Sequence, residues 1–329
     1  MKILVTGGAG YIGSHACKAL AASGFEPIVY DNLSRGNRWA VKWGPLEIGD
    51  LADTTRLRTV FEQHRPQALM HFAAYAYVGE SVENPLLYYR NNIGGTTSLL
   101  QAMMDYQPVP VVFSSTCSTY GEPQTIPISE DHPQHPINPY GFSKLVAERL
   151  LTDLDRAHGL RSVSLRYFNA SGADADGEIG ESRDPEPHLV PIVLAAARDA
   201  KPVRVFGNDY DTADGTCVRD YIHVLDIAEA HVRSLKYLID GGRSCALNLA
   251  NERGYSVKEV ITTAERVTGK AVPVEMSPRR AGDPAVLIGS SERARTLLGW
   301  KPARSDLEVQ IGDAWNWMNS EHLRSEAAK

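Results

Sequence analysis

The sequence predicts an α/β protein: a doubly wound parallel sheet joined to a smaller, mixed α/β carboxy-terminal region. Three observations predict it. Short apolar runs alternate with helically spaced apolar residues through the first half of the 329-residue chain. A glycine-rich turn follows the first of those runs directly. After residue 169 the alternation gives way to turn signals and shorter segments.

The first run, Lys2-Ile3-Leu4-Val5-Thr6, leads into Gly7-Gly8-Ala9-Gly10-Tyr11-Ile12-Gly13, and a helical pattern continues through Ala16, Leu20 and Ala21. Strand, glycine turn and helix are the context in which Gly-x-x-Gly-x-x-Gly carries information. Gly7 makes the tight turn, Gly10 lets backbone approach a pyrophosphate, and Gly13 permits close helix–strand packing. The helix N-terminus then faces the anion. The second run, 27–30, ends at Asp31, eighteen residues beyond Gly13. An acid at about that distance binds a ribose diol. Its carboxylate repels a 2′-phosphate, so the expected cofactor is NAD rather than NADP, on a Rossmann-type sheet.

The strand series continues at 68–72, 109–113 and 161–165. Ligands of such sheets lie at the carboxyl ends of the strands. His71-Phe72-Ala73-Ala74 and Ser114-Ser115-Thr116 fall at two of those ends, and the small Ala73 and Ala74 leave room for a cofactor. Asn138-Pro139 then reads as a helix start, with Asn as cap and Pro in the first turn. Leu145, Val146, Leu150 and Leu151 follow at helical spacing, which sets Tyr140 and Lys144 one turn apart on one face. A phenol that serves as a base must fall from about 10 to about 7, worth about 4 kcal/mol. One cation about 5 Å away supplies about 3 kcal/mol at an effective dielectric of about 20. Lys144 is the expected cation, and an oxidised nicotinamide ring would complete the shift.

Beyond Tyr167-Phe168-Asn169, residues 171–187 are rich in Gly, Asp, Glu and Pro and read as a long loop. Further turn signals follow at 207–209, 214–215 and 281–284, while the helical stretch 225–239 and the run 246–249 are regular enough to return to the main sheet. The expected division is a cofactor domain at 1–170, with 217–250 returning to it, and a substrate domain at 171–216 and 251–329.

A net charge of −6 without a dense basic stretch excludes nucleic acid as a general partner. No apolar stretch reaches the roughly 18 residues of a membrane span. The first strand begins at residue 2, which leaves no room for a leader and predicts a cytoplasmic protein. Cys17, Cys117, Cys217 and Cys245 are widely spaced and read as reduced thiols. The acidic run 209–215 lacks the ligand spacing of a calcium loop, and the histidines lack metal-ligand spacing, so no metal is expected.

Thr6-Gly7-x-x-Gly10-x-x-Gly13, Asp31-Asn32, Thr116 and Tyr140-x-x-x-Lys144 together resemble the extended short-chain dehydrogenase/reductases. Within them the chain is similar, over essentially its whole length, to the UDP-glucose/UDP-galactose 4-epimerase family. The segments that carry this likeness are TGGAGYIGS (6–14), VGESV (78–82), NPYGFSK (138–144), LRYFN (165–169), DGTCVRDYIHV (214–224) and PRRAGD (278–283). Jointly they are specific for nucleotide-sugar 4-epimerases and less so for one sugar.

The resemblance implies inversion at C4 of a UDP-sugar by transient oxidation to the 4-keto sugar, with hydride returned to the opposite face. Tyr140 would be the base, Thr116 would bond the same sugar oxygen, and Lys144 would hold the nicotinamide ribose. Around the NAD it places Gly7, Gly10, Tyr11, Ile12 and Gly13 at the turn, with Asp31, Asn32, Asp50 and Leu51 toward the adenine end. Phe72, Ala73, Ala74, Asn91 and Tyr167 would complete the cofactor site with Tyr140 and Lys144. On the substrate side, Asn169, Arg219 and Arg280 would meet the diphosphate, and His188 and Leu189 would lie along the nucleotide. Phe206 would lie near uracil, Asp283 would accept from the uridine ribose, and Leu287 would form a wall of the sugar pocket. A homodimer through helices near 83–105 and 140–157 is also implied.

Some positions depart from the family pattern. Thr116 stands where many members have Ser, His188 where some have Asn, and Ala76 where some have a Lys near the cofactor phosphates. Leu287 is intermediate between the large wall of glucose/galactose-restricted members and the small one of members that accept N-acetyl sugars. TCSTYG (116–121) with INPYG (137–141) also occurs in UDP-xylose/UDP-arabinose 4-epimerases. UDP-hexose, UDP-N-acetylhexosamine and UDP-pentose therefore all stay open as substrates. Cys117-Ser118 supplies no carboxylate beside Thr116, which argues against a 4,6-dehydratase. A non-catalytic NAD-binding sensor is the alternative of another class. Retention of Thr116, Tyr140 and Lys144 counts against it.

Overall fold

The structure, a computed structural model, describes residues 1–280, 283–321 and 323. Ala281 and Gly282 of the expected turn at 281–284 lie outside the described residues. In chain order the strands are β1 (Lys2–Thr6), β2 (Glu26–Asp31), β3 (Leu46–Ile48), β4 (Ala68–His71), β5 (Val111–Thr116), β6 (Ser162–Tyr167) and β7 (Asn169–Ser171). They continue with β8 (Val203–Phe206), β9 (Val218–His223), β10 (Cys245–Leu249), β11 (Gly254–Ser256), β12 (Val274–Ser277) and β13 (Val286–Leu287).

Seven strands form the main sheet in the order β10-β6-β5-β4-β1-β2-β3, and every pairing in it is parallel. The chain winds outward from β1 to β3, then returns across β1 to β4 and winds the other way. The crevice where β1 and β4 part is the switch point at which such sheets bind ligands. Alternation along β1 shows why helices cover both faces. Ile3 and Val5 join Val29, Met70 and Val112 in one core, while Leu4 joins Ile28, Leu69, Val111 and Phe113 in the other. Each such buried aliphatic side chain contributes about 1.5–3 kcal/mol relative to exposure.

The strand expected at 109–113 starts later, at Val111, and runs to Thr116. Pro110 has no N–H to give the ladder, so pairing begins after it. Helix Val224–Ile239 contributes Ile227, Ala230, Leu235 and Leu238 to the first core, and β10 pairs with β6 at the edge of the main sheet. Strand β9, which leads directly into this helix, belongs elsewhere: it is the centre of a second sheet, flanked by β11 and β13 and joined by β7. The segment 217–250 is thus divided between the two sheets. A third, two-stranded sheet pairs β8 with β12. A separate core built on Val193, Leu194, Val260 and Ile311 supports this carboxy-terminal region.

Helix Pro139–His158 begins as its sequence dictates. The Asn138 side chain accepts from Gly141 N at 2.8 Å, Pro139 occupies the first turn, and Gly159 closes the helix in the left-handed conformation. Glu148, two turns beyond Tyr140, clamps the helix to the sheet. Its carboxylate accepts from Arg166 Nε at 2.9 Å and Nη2 at 2.6 Å, and also from the Ser115 hydroxyl. Arg166 Nη1 in turn donates to the Tyr120 hydroxyl at 2.9 Å, which donates to Asn248 at 2.7 Å. Glu148 and Arg166 are 7% and 5% exposed, so neither charge has water to fall back on.

Glu148→Ala is expected to cost about 3–5 kcal/mol, because it strands the Arg166 charge in the interior. Denaturant unfolding followed by circular dichroism checks this; a loss below about 1 kcal/mol would show that the pair does not clamp the helix.

Candidate functional site

A cavity of about 1290 Å³ opens at the carboxyl ends of β1, β2, β4, β5 and β6 and extends to the second and third sheets. It exceeds the roughly 300–1,000 Å³ of a pocket for one small ligand. At one end lies the glycine turn. Gly7 has φ +74°, and a Cβ there would stand 2.5 Å from Ala73 N, so the turn fits only against a bare backbone. A Cβ on Gly13 would stand 2.2 Å from Gly7 O, which shows how tightly helix Tyr11–Ala22 sits on the strand end. Gly10 lines the cavity, and no side chain caps the helix there. Its first N–H groups are therefore free for an anion.

At the end of β2 the Asp31 carboxylate is 8% exposed and accepts from Ala9 N at 3.0 Å and Leu33 N at 2.8 Å. Burial raises its pKa, against those two hydrogen bonds. A turn cradle that excludes side chains, an uncapped helix N-terminus and an acid at the tip of β2 fit the diphosphate and ribose of a dinucleotide. Tyr11, Ile12, Asn32, Leu51, Phe72, Ala73, Ala74, Asn91 and Tyr167 also line the cavity. Asp50 is not among the lining residues; its carboxylate accepts from Asn32 Nδ2 at 2.7 Å and so orients a residue that is. Asn91 lies in a π-helical turn, Tyr89–Gly94, whose Asn92 donates to Tyr75 O at 3.0 Å and to Ser143 Oγ at 3.0 Å.

Thr116, Tyr140 and Lys144 converge at the carboxyl end of β5 and line the cavity. Thr116 is the last residue of β5, and its hydroxyl lies close enough to the Tyr140 phenol to pull its pKa down. Lys144 is 4% exposed; its ammonium donates to Ser114 O at 2.7 Å and lies 4.9 Å from the Phe113 ring centroid. The charges differ from the sequence expectation. Burial pushes the Tyr140 phenol up to about 12, which outweighs the downward pull of Thr116 and of Arg183. Burial likewise pulls Lys144 down to about 7, against the Glu148 carboxylate. Helical spacing brought the pair together, but their desolvation outweighs any help that either gives the other in the ligand-free site.

The far end of the cavity is built by the smaller sheets. Phe206 ends β8, and the Arg280 guanidinium lies 3.9 Å from its ring centroid. Arg219 and Leu287 are register partners on β9 and β13. Arg219 donates to Val218 O at 2.7 Å and forms an ion pair with Asp283. Asn169 Nδ2 donates to Asp220 O at 3.0 Å. His188 Nδ1 lies 2.6 Å from Glu181, just before helix Leu189–Asp199. Of these, Phe206, Arg280, Arg219, Leu287, Asp283, Asn169 and His188 line the cavity, with Leu189.

Sequence reasoning missed several lining residues: Arg35, Tyr77, Arg183 and Glu186. Arg183 and Glu186 come from the aperiodic 171–187 loop, where no pattern says which charges turn inward. Cys117 adjoins Thr116, but burial lifts its thiol to about 12, which leaves it inert as a nucleophile. Of the acidic groups with metal-like proximity, Asp174, Asp176 and Glu178 close on the Lys18 ammonium at 2.7–2.8 Å, so a cation of the protein's own already fills that place. Glu181, Glu186 and His188 form the other such group, at the cavity wall.

Residues 3–250 match the family described as NAD dependent epimerase/dehydratase. The chain is 52% identical over 317 residues to UDP-glucose 4-epimerase of Rhizobium meliloti (strain 1021), covering 96% of each protein. It is equally similar, at 52% identity and a TM-score of 0.93, to the crystal structure of UDP-glucose 4-epimerase from Brucella ovis in complex with NAD, covering 95% of this chain and 97% of that one. It is 41% identical, with a TM-score of 0.94 and 99% of each chain covered, to the UDP-glucose-4-epimerase of Stenotrophomonas maltophila with bound NAD and formylated UDP-arabinopyranose. The chain belongs to the NAD-dependent epimerase/dehydratase family, alongside the UDP-glucose 4-epimerases.

Proposed function

We propose that the protein interconverts the C4 epimers UDP-glucose and UDP-galactose with NAD as its resident cofactor. The observation that carries this reading is the convergence of Thr116, Tyr140 and Lys144 at the end of β5, on the wall of one cavity that the glycine turn and Phe206, Arg219 and Arg280 also line. The hydrogen on C4 of a glycosyl ring is not acidic, because no carbonyl adjoins it, so inversion needs oxidation first. NAD, when bound, supplies the hydride acceptor for that oxidation and the donor for its reversal.

The chain's own residues do the rest. The turn backbone at Gly7–Gly13 and the N-terminus of helix Tyr11–Ala22 hold the dinucleotide diphosphate, and Asp31 accepts from its adenosine ribose. Tyr140 takes the proton of the 4-hydroxyl and returns it, while Thr116 holds the same oxygen. Lys144 binds the nicotinamide ribose and gives the phenolate its cation. At the other end, Arg219, Arg280 and Asn169 meet the UDP diphosphate with charge-assisted and neutral donors, Phe206 packs on uracil, and Asp283 accepts from the ribose. His188 and Leu189 line the nucleotide, and Leu287 walls the sugar. On this reading 1–170 is the cofactor domain and the smaller sheets hold the UDP-sugar. A cavity of about 1290 Å³ supports a pocket in which the 4-keto sugar turns its other face before reduction.

A UDP-pentose substrate is the second reading. It is supported by the stretches TCSTYG (116–121) and INPYG (137–141) and by the likeness to a protein that holds a formylated UDP-arabinopyranose. A homodimer is supported by exposed apolar residues on adjoining helices: Val82 at 61%, Leu86 at 74% and Phe142 at 45% exposure. No helix among the described residues is long and apolar enough to cross a membrane. Cytoplasmic residence is supported by four cysteines that are all unpaired.

Tyr140→Phe should slow UDP-galactose turnover by at least about 100-fold at an unchanged melting temperature, as loss of a general base does; unchanged turnover would exclude Tyr140 as the base. Wild-type turnover of UDP-xylose at the UDP-galactose rate would favour the second reading. The Lys144 amine follows from linkage. Its folded pKa lies near 7 against an ordinary 10.5, so between those values the unfolded chain holds more protons and stability rises with pH. The penalty is fully present below about 7. Lys144→Met should therefore abolish turnover yet raise the melting temperature of the ligand-free protein at neutral pH and flatten its pH dependence; a lower melting temperature would contradict the buried-charge assignment. Sedimentation should give a dimer that Leu86→Glu with Phe142→Glu converts to monomer, and a wild-type monomer would refute the assembly.

A further inference from the structure

We propose that Arg183, seated against Tyr77, is a binding residue for the diphosphate of the dinucleotide and retains the cofactor; this rests on the NAD reading above. The lining of the cavity supplies six cations among the described residues: Arg35, Lys144, Arg183, Arg204, Arg219 and Arg280. Two belong to the far end, Arg219 paired with Asp283 and Arg280 stacked on Phe206. Arg204, 69% exposed, leans outward toward Glu275. Lys144 donates to Ser114 O and is already assigned to the nicotinamide ribose. Arg35 is bound to Glu80 at 2.6 Å. Arg35 and Arg183 both flank Tyr77, and Arg183 is the more enclosed of the two, 18% exposed against 33%, with donors to spare.

Its position comes from two loops that border that turn. The segment after β4 passes directly over Gly7, as the approach of Ala73 N shows, and reaches Tyr77. The 171–187 loop is tied to the start of helix Tyr11–Ala22, because the Tyr11 hydroxyl donates to Gly172 O at 2.6 Å. Arg183 bridges the two loops. Its Nη1 donates to the Tyr77 hydroxyl at 3.3 Å, and its guanidinium lies 5.4 Å from the Tyr77 ring centroid, with Arg35 5.1 Å from the same ring. Nε donates to Glu181 at 3.0 Å, which fixes the fork from behind. Glu181 is itself shared with His188 Nδ1 at 2.6 Å, so it does not spend its whole charge on Arg183. A guanidinium has five donors, two are engaged here, and the planar remainder suits a phosphate. The side chain is 18% exposed, on the wall of the cavity, where such bonds are little screened.

The test uses full-length protein stripped of nucleotide, with NAD as the probe. Binding is read by calorimetry, and occupancy as purified by the nucleotide released on acid denaturation. Arg183→Gln should weaken NAD binding about ten-fold or more and lower the occupancy. Ala76→Lys, at a small lining residue next to Tyr77, should restore both in the double variant by returning a cation to the same place. Wild-type affinity in Arg183→Gln overturns the proposal. So does a double variant that stays weak, or an Arg183→Gln protein whose ligand-free melting temperature falls, since each marks a structural role. Failure of the wild-type protein to bind NAD would refute the cofactor reading itself, a different outcome from loss of the Arg183 role alone.

Discussion

The site depends on a buried ion pair that touches no part of the cavity. Glu148 and Arg166 lock helix Pro139–His158 onto β6 and, through the Ser115 hydroxyl, onto β5. Ser115 sits between Ser114, whose carbonyl receives the Lys144 ammonium, and Thr116, whose hydroxyl lies close to the Tyr140 phenol. One clamp therefore sets both members of the helix against both of their strand partners. Slippage of the helix by a single residue would rotate Tyr140 and Lys144 by about 100° and part them from β5. A buried pair of this kind adds little net stability, but losing one partner is costly. That makes it a means of fixing register more than a source of strength.

The same burial that orders the site also opposes its chemistry. The phenol is held up near 12 and the amine down near 7, so both lean toward their neutral forms in the ligand-free protein. A base in this setting is latent. On the proposed reading it would gain its charge when positive charge enters beside it, which would tie the capacity to take the 4-hydroxyl proton to occupancy of the cofactor end. Arg183 already pulls the Tyr140 phenol downward, and the proposed hold on the diphosphate would place the same cation in both roles.

Much of this was legible in the sequence because local physics decides it. The Gly7–Gly13 turn, Asp31 at the tip of β2, and the Asn138-Pro139 helix start each follow from a backbone requirement that few residues meet. Tyr140 and Lys144 share a face because the helix period puts them there. What could not be read was set by distant packing. Strand β9, Val218–His223, mixes charged and apolar residues, and nothing in that pattern names β7, β11 and β13 as its partners instead of the main sheet. Desolvation of Lys144 depends on the whole shell around it, so a spacing rule saw an activator where the folded protein has a penalty. Arg183 lies in a loop without period, and only the fold brings it to Tyr77 and the glycine turn.

The central claim is that C4 is inverted by oxidation and return of the same hydride, with Tyr140 carrying only the hydroxyl proton. The most direct measurement is proton NMR of the purified protein with UDP-galactose in D₂O and no added NAD. The account predicts that UDP-glucose appears with C4 still protonated, because hydride removed from carbon never exchanges with solvent. Deuterium at C4 of the product would mean that a proton, not a hydride, leaves that carbon, and would contradict the account.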